Sequence, residues 1–294
     1  MAERFHYGGQ AVIDGVMMRG QKSVVTAVRN PDKGLTIATQ PLTTAYTGRV
    51  KKSPILRGVA VLLETLFLGV RSLFYSADVS LEKEEEKISG KMMGGIVAIS
   101  LVFGVALFFI APLFLTKLLD PYITSSLIFN LIEGGIRLAI FLIYLKSMGL
   151  QSDIKRVFAY HGAEHKAVNA YEDGAPLEVE AARKYSTAHV RCGTNFLFIV
   201  LLISIFVFAL VGLPAIWLMA LARILLIPII AGIAYEINRF NANHTNSGLV
   251  KTALTPGLWL QSLTTKEPDD SQLEVALSAL KKAVEIDQLE EETV

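Results

Sequence analysis

Long uncharged stretches alternate with polar ones along the chain, and the uncharged ones are too long for the core of a water-soluble domain. Met92 to Thr116 runs 25 residues between Lys91 and Lys117, enough helix to cross a hydrocarbon layer of about 30 Å. Cys192 to Ala222 carries no charge either, but Gly212-Leu213-Pro214 interrupts it. That break predicts a tight turn between two antiparallel spans, 195–211 and 215–235. A fourth span, 123–145, contains Glu133 and Arg137. Helices are the expected form, because backbone groups in lipid must be satisfied within the segment.

Pro54–Ser76 follows a different pattern. Arg57, Glu64 and Arg71 recur at intervals of seven, which on a helix gives one polar stripe against an otherwise apolar surface. Such a helix lies in the membrane interface or packs with its stripe hidden. Basic residues decide between crossing and not crossing. Without a crossing, 22 Lys and Arg share one side with both termini and the loops 77–91 and 147–193, and the opposite loops keep only Lys117. The positive-inside rule makes the rich side cytoplasmic. The expectation is therefore an α-helical integral membrane protein in the cell membrane, with four transmembrane helices, a non-crossing amphipathic helix and both termini cytoplasmic.

The polar remainder falls into cytoplasmic pieces. Residues 1–53 read as a small β unit in which SVVTAVRN and LTIATQ flank the turn PDKG. The amphipathic helix 54–76 and a first transmembrane hairpin, 92–145, follow. Within the loop 146–194, residues 152–172 predict a helix carrying Ile154, Val157, Phe158, His161, His165 and Val168 on one face. The second hairpin, 195–235, leads to an interface segment, 236–270. In 271–294, Leu273, Leu277, Leu280 and Val284 recur at helical spacing, which predicts a peripheral amphipathic tail. The run EKEEEK at 82–87 reads as a solvated linker.

Composition agrees. Of 294 residues 52% are hydrophobic and 19% charged, against about 25% charged in ordinary soluble domains. A net charge of +1 is too balanced for a dedicated nucleic-acid binder, and the single cysteine, Cys192, excludes an intrachain disulfide. The start, MAERFHYGGQ, lacks the layout of a cleaved signal peptide, so insertion is expected to use internal segments.

The sharpest chemical signal is YHGAEHK, Tyr160–Lys166, which holds His161-x-x-Glu164-His165. Positions i, i+3 and i+4 share a helix face, so two imidazoles can bind one divalent metal, zinc by preference, while Glu164 acts as the base on water. All five histidines fall on the cytoplasmic side. His189 or Glu236 is the preferred third ligand, with His244 a further possibility. Cys192 reads as a ligand, a nucleophile or inert packing. Within the bilayer, Glu133, Arg137 and Arg223 should face the bundle interior. Glu133 can pair with Arg223 at similar depth or with Arg137 one turn away, and a structural role is favoured over an ion pathway. Pro228 should kink the last span.

Four motifs, GGQAVIDGVMMRG (Gly8–Gly20), YHGAEHKAVNAYE (Tyr160–Glu172), HVRCGTNF (His189–Phe196) and TPGLWLQSLTTKEP (Thr255–Pro268), together resemble the YqhQ-like family of bacterial membrane proteins over nearly the whole chain. The resemblance implies a metal-dependent enzyme of undetermined activity centred on His161, Glu164 and His165. It also draws attention to Gln10, Asp14, Met17, Arg19, Pro256, Trp259 and Gln261 as parts of a site or docking surface.

Two functions compete. One is a metal-dependent, hydrolytic enzyme at the cytoplasmic membrane interface, with a lipid-linked or membrane-peptide substrate. The other is a non-enzymatic scaffold or chaperone for membrane-protein biogenesis, with the translocon, the ribosome or another membrane protein as partner. Its basic N-terminal region would touch anionic lipid or ribosomal RNA. A transporter is a weaker third reading, since four spans with short outer loops would need oligomerisation.

Overall fold

The computed structural model describes residues 5–42, 53–81, 89–212, 215–244 and 247–291. The acidic run 82–87, Leu213-Pro214 of the expected turn, and Arg49, Lys51 and Lys52 of the basic N-terminal region lie outside them.

Four strands, β1 (Gly8–Val12), β2 (Gly15–Arg19), β3 (Ser23–Arg29) and β4 (Leu35–Pro41), form an antiparallel meander in sequence order. The expected hairpin is β3–β4, with Ser23 opposite Pro41 and Arg29 opposite Leu35. Lys33 takes a left-handed φ of 67° in its turn. Strand alternation gives the sheet two apolar faces. Val16, Met18, Val25 and Ala27 pack on α5 (Ser152–Glu172) and α11 (Asp270–Glu291). On the other face, Val12, Met17 and Val24 meet Leu68 of α1 (Pro54–Ser80).

α11 is not a peripheral tail. Leu273, Val275, Ala276, Leu277, Ala279, Leu280 and Ala283 are all buried in the main core. Asp287 of the same helix, only 3% exposed, accepts hydrogen bonds from the Tyr7 hydroxyl and from the backbone N–H groups of Gln21 and Lys22. The helix is amphipathic, as its spacing indicates, but the surface that receives it is the sheet.

Among the described residues, four helices are long and apolar enough to cross a membrane: Leu56–Ser80, Gly90–Lys117, Ser126–Met148 and Gly193–Val211. The span expected at 215–235 is instead two helices, α8 (Ile216–Leu225) and α9 (Ile227–Asn243), bent by 43°. The break precedes Pro228, which lacks the N–H needed to continue the hydrogen-bond ladder and sits in the first turn of α9. Counted as one span, the pair makes five. The expected non-crossing helix thus has the composition of a span, and its contacts describe it better. From Glu64 onward it follows the sheet: Arg19 pairs with Glu64 at 3.0 Å, Gln10 Nε2 donates to the Gly69 carbonyl, Thr26 to Ser72, and the Ile13 N–H to Ser76. Its N-terminal end packs on α9, where Gly58 approaches Gly232 so closely that a Cβ would lie 3.1 Å from the Gly232 Cα.

The helix Gly90–Lys117 consists of α2 (Gly90–Val105), one π turn (Ala106–Ile110) and α3 (Ala111–Lys117). Arg137 of α4 (Ser126–Met148) donates from Nε to the Phe108 carbonyl in that turn and from Nη1 to Ser204 of α7 (Gly193–Val211). Its Nη2 donates to Glu133. Arg223 of α8 reaches the same carboxylate with Nε, at 3.0 Å, and with Nη2. All three side chains are 1% exposed or less. The ring of Phe208 lies 4.9 Å from each guanidinium carbon, a cation–π contact that helps hold two cations against one carboxylate.

Candidate metal centre

α5 covers the same residues as the helix expected from periodicity, and its polar face is turned inward. Ala159, Tyr160 and every residue from Gly162 to Val168 are buried. Gly162 permits this: a Cβ there would lie 2.1 Å from the Lys266 carbonyl oxygen, so only glycine lets the 264–266 segment lie against the helix.

That approach fixes His161. Its Nδ1 donates to the Thr264 carbonyl at 2.9 Å, and Nδ1 of His165 donates to the Thr187 carbonyl at 2.6 Å. A carbonyl only accepts, so each Nδ1 carries a proton, and Nε2 is the nitrogen left to act as a ligand when the ring is neutral. Backbone-anchored imidazoles of this kind are the usual outer support of histidine metal ligands.

The third donor is Cys192, at the N-cap of α7. Its Sγ accepts from the Thr194 N–H and lies 3.3 Å from His161 Nε2. Among the described residues, His161, His165 and Cys192 form a group whose ligand atoms all lie within 4.8 Å of one another. Tetrahedral zinc with ordinary Zn–S and Zn–N bonds separates sulfur from nitrogen by about 3.6 Å. The donor set and its spacing fit such an ion with three of its four tetrahedral positions supplied.

Glu164 stands beside this group, 4% exposed. Oε1 accepts from the Gly9 N–H of β1 at 2.9 Å, and Oε2 lies 3.5 Å from His165 Nε2. His189 is close by without belonging to the three: its ring centre is 5.7 Å from that of His165, and its Nε2 is 3.5 Å from Glu172. Burial pushes its pKa below the usual histidine value, against the raising effect of the Glu164 charge. Glu172 also pairs with Arg191 and, at 3.4 Å, with His6.

The other expected ligands are elsewhere. Glu236 pairs with Arg57, accepting from Nε at 2.7 Å and from Nη2. His244 stacks on Phe240 and bonds the Phe240 carbonyl. A cavity of about 210 Å³ opens onto the cluster, and Gln10 and Arg19 line it. Asp14 faces away, paired with Arg156 at 2.6 Å; burial raises its pKa and the Arg156 charge opposes the shift. Trp259 is 60% exposed. Gln261 is fully buried and bonds both the N–H and the carbonyl of His189, which holds the loop before Cys192.

Sequence reasoning missed Thr187, Thr264 and Gly9. All three act through backbone atoms and so leave no side-chain signal, although the glycine at 162 marks the close approach behind Thr264.

Residues 53–286 match the family described as "Protein of unknown function (DUF1385)". The chain belongs to this family. It is also 36% identical over 300 residues to "Uncharacterized protein YqhQ" of Bacillus subtilis (strain 168), an alignment covering 97% of this chain and 94% of that protein. No solved structure matches the chain. DUF1385 membership accords with the resemblance carried by the four motifs, and the geometry around Cys192 adds a chemical proposal to it.

Proposed function

We propose that this protein is a metal-dependent membrane enzyme of hydrolytic type, with its site at the cytoplasmic face of the bilayer. The observation carrying the proposal is the pair of imidazoles whose Nδ1 atoms are tied to backbone carbonyls, leaving both Nε2 atoms grouped with Cys192 Sγ. His161, His165 and Cys192 would hold the ion, zinc by donor type, which would supply Lewis acidity to a substrate oxygen. Glu164 is the proton acceptor: the Gly9 N–H fixes Oε1, and Oε2 lies 3.5 Å from His165 Nε2, beside the candidate ligand atoms. Tyr7, Leu68 and Met17 form the apolar part of the cavity wall.

The position of Cys192, one residue before the apolar helix α7, favours a site at the bilayer boundary. α1 fits that depth. With its Glu64–Ser76 portion on the sheet, only 54–63 remain to enter lipid, about 15 Å of helix against a core of about 30 Å. It dips into the membrane without crossing, consistent with both termini being cytoplasmic.

A second reading has one specific support. Cys192 at a helix N-terminus with His161 3.3 Å away is also the layout of a thiol nucleophile and its base. The non-enzymatic scaffold, working with translocon or ribosome, is the alternative if neither chemistry is present. Metal analysis of the full chain purified without chelator separates the three. About one zinc per chain, lost in His161→Ala, His165→Ala and Cys192→Ser and retained in Glu164→Gln, supports the metal enzyme. A metal-free protein whose Cys192 is rapidly alkylated supports the thiol. A folded, functional protein with neither property supports the scaffold.

A further inference from the structure

We infer that the Arg19 and Arg191 side of the cavity binds the phosphate of a phosphate-ester headgroup. The inference rests on the metal-centre reading, which places the rest of the same ligand beside His161, His165 and Cys192. Size comes first. The cavity of about 210 Å³ is partly open and admits a small polar headgroup.

Charge comes next. Two guanidiniums, Arg19 and Arg191, line the cavity against one carboxylate, Glu164. Their ion-pair partners, Glu64 and Glu172, hold them in place but are not themselves part of the lining. Gly193 lines it too, so the N-terminus of the 19-residue helix α7 opens onto the same space, and helix N-termini favour anions. A planar guanidinium offers phosphate two parallel donors.

The remaining wall is amphipathic. α1 turns Thr65 and Leu68 to the cavity while Leu66 and Phe67 are 60% and 66% exposed. An amphiphile can therefore place its head among the arginines and lead its tail past Leu66 and Phe67 towards residues 54–63 of α1, the part proposed to enter lipid. A soluble phosphate ester would use the same polar contacts.

The test uses the full chain, loaded with Co²⁺, in dodecyl maltoside micelles, which carry no phosphate. Glycerol 3-phosphate should change the cobalt visible spectrum saturably. Arg19→Gln and Arg191→Gln should each weaken this at least tenfold at unchanged cobalt content, whereas Arg156→Gln, outside the cavity, should not. If either variant fails to fold, the lysine substitutions, which keep the ion pairs and lose the planar fork, should weaken binding in the same direction. The same spectral change in phosphatidylglycerol nanodiscs without soluble phosphate identifies a lipid headgroup, and its absence there identifies a soluble ester. A cobalt-loaded protein blind to both would overturn the inference. So would full binding in both arginine variants, or a stronger response to a carboxylate peptide. Failure to load cobalt defeats the metal-centre reading instead. In that event ³¹P line broadening of glycerol 3-phosphate decides phosphate binding by itself: broadening that the arginine variants remove sustains the inference, and none sinks it.

Discussion

Glu133→Gln isolates the energetics of the buried charge cluster among the apolar helices. The substitution keeps shape and removes one charge from a site where Arg137 and Arg223 are both 1% exposed or less. Removing one member of a buried ion pair costs about 3–5 kcal/mol, because the partner charge remains without compensation. Two guanidiniums are orphaned here, which argues for the upper part of that range, while water entry and lipid relaxation argue for less. At about 2–4 °C per kcal/mol for a chain of this size, the melting temperature should fall by roughly 6–20 °C. The assay is intrinsic fluorescence on heating in one detergent, and Trp217 on α8 is a local reporter. The two partners should differ. Arg223 gives Glu133 two donors, Nε and Nη2, whereas Arg137 gives one and spends the others on Phe108 and Ser204. Glu133→Gln should therefore couple more strongly to Arg223→Met than to Arg137→Met in double-mutant cycles. A melting shift under 2 °C, or equal coupling to both arginines, would refute the reasoning.

Gly162→Ala should destabilise the site before the fold, since its Cβ would collide with the Lys266 carbonyl and displace the Thr264 carbonyl that orients His161; undiminished zinc affinity would count against this. Leu280→Ala, in a helix read as core, should cost about 2–5 kcal/mol in chemical denaturation, whereas a peripheral helix would lose under 1 kcal/mol. Reporter fusions at Ser76, Gly174 and Val294 should all read as cytoplasmic and one at Tyr122 as external, and an external signal at Gly174 would reverse the proposed topology.

Properties set by near neighbours in the chain were legible without coordinates. Apolar runs longer than a bilayer, the β3–β4 hairpin, the limits of α5 and the shared face of His161 and His165 all follow from local periodicity. The break near Pro228 does too, since a missing N–H acts within one turn.

Partner choice was different. Cys192, His189 and Glu236 all lie at the ends of polar segments beside spans. Only the folded chain puts the Cys192 sulfur 3.3 Å from His161, while Arg57 takes Glu236. The same holds for α11, whose heptad-like apolar spacing suits a lipid surface and a sheet equally; the sheet receives it because Val16, Met18, Val25 and Ala27 offer an apolar face of their own. Backbone donors and acceptors carry no identity in the sequence, so Gly9, Thr187 and Thr264 became visible only as atoms in space. The chain by itself determined most of its helices, their length and apolarity compatible with a multi-pass membrane protein, and two of the candidate ligands. Tertiary structure decided the third candidate ligand, the backbone anchor of each histidine Nδ1 and the burial of α11, because these depend on distances between residues that the backbone separates by tens to hundreds of positions.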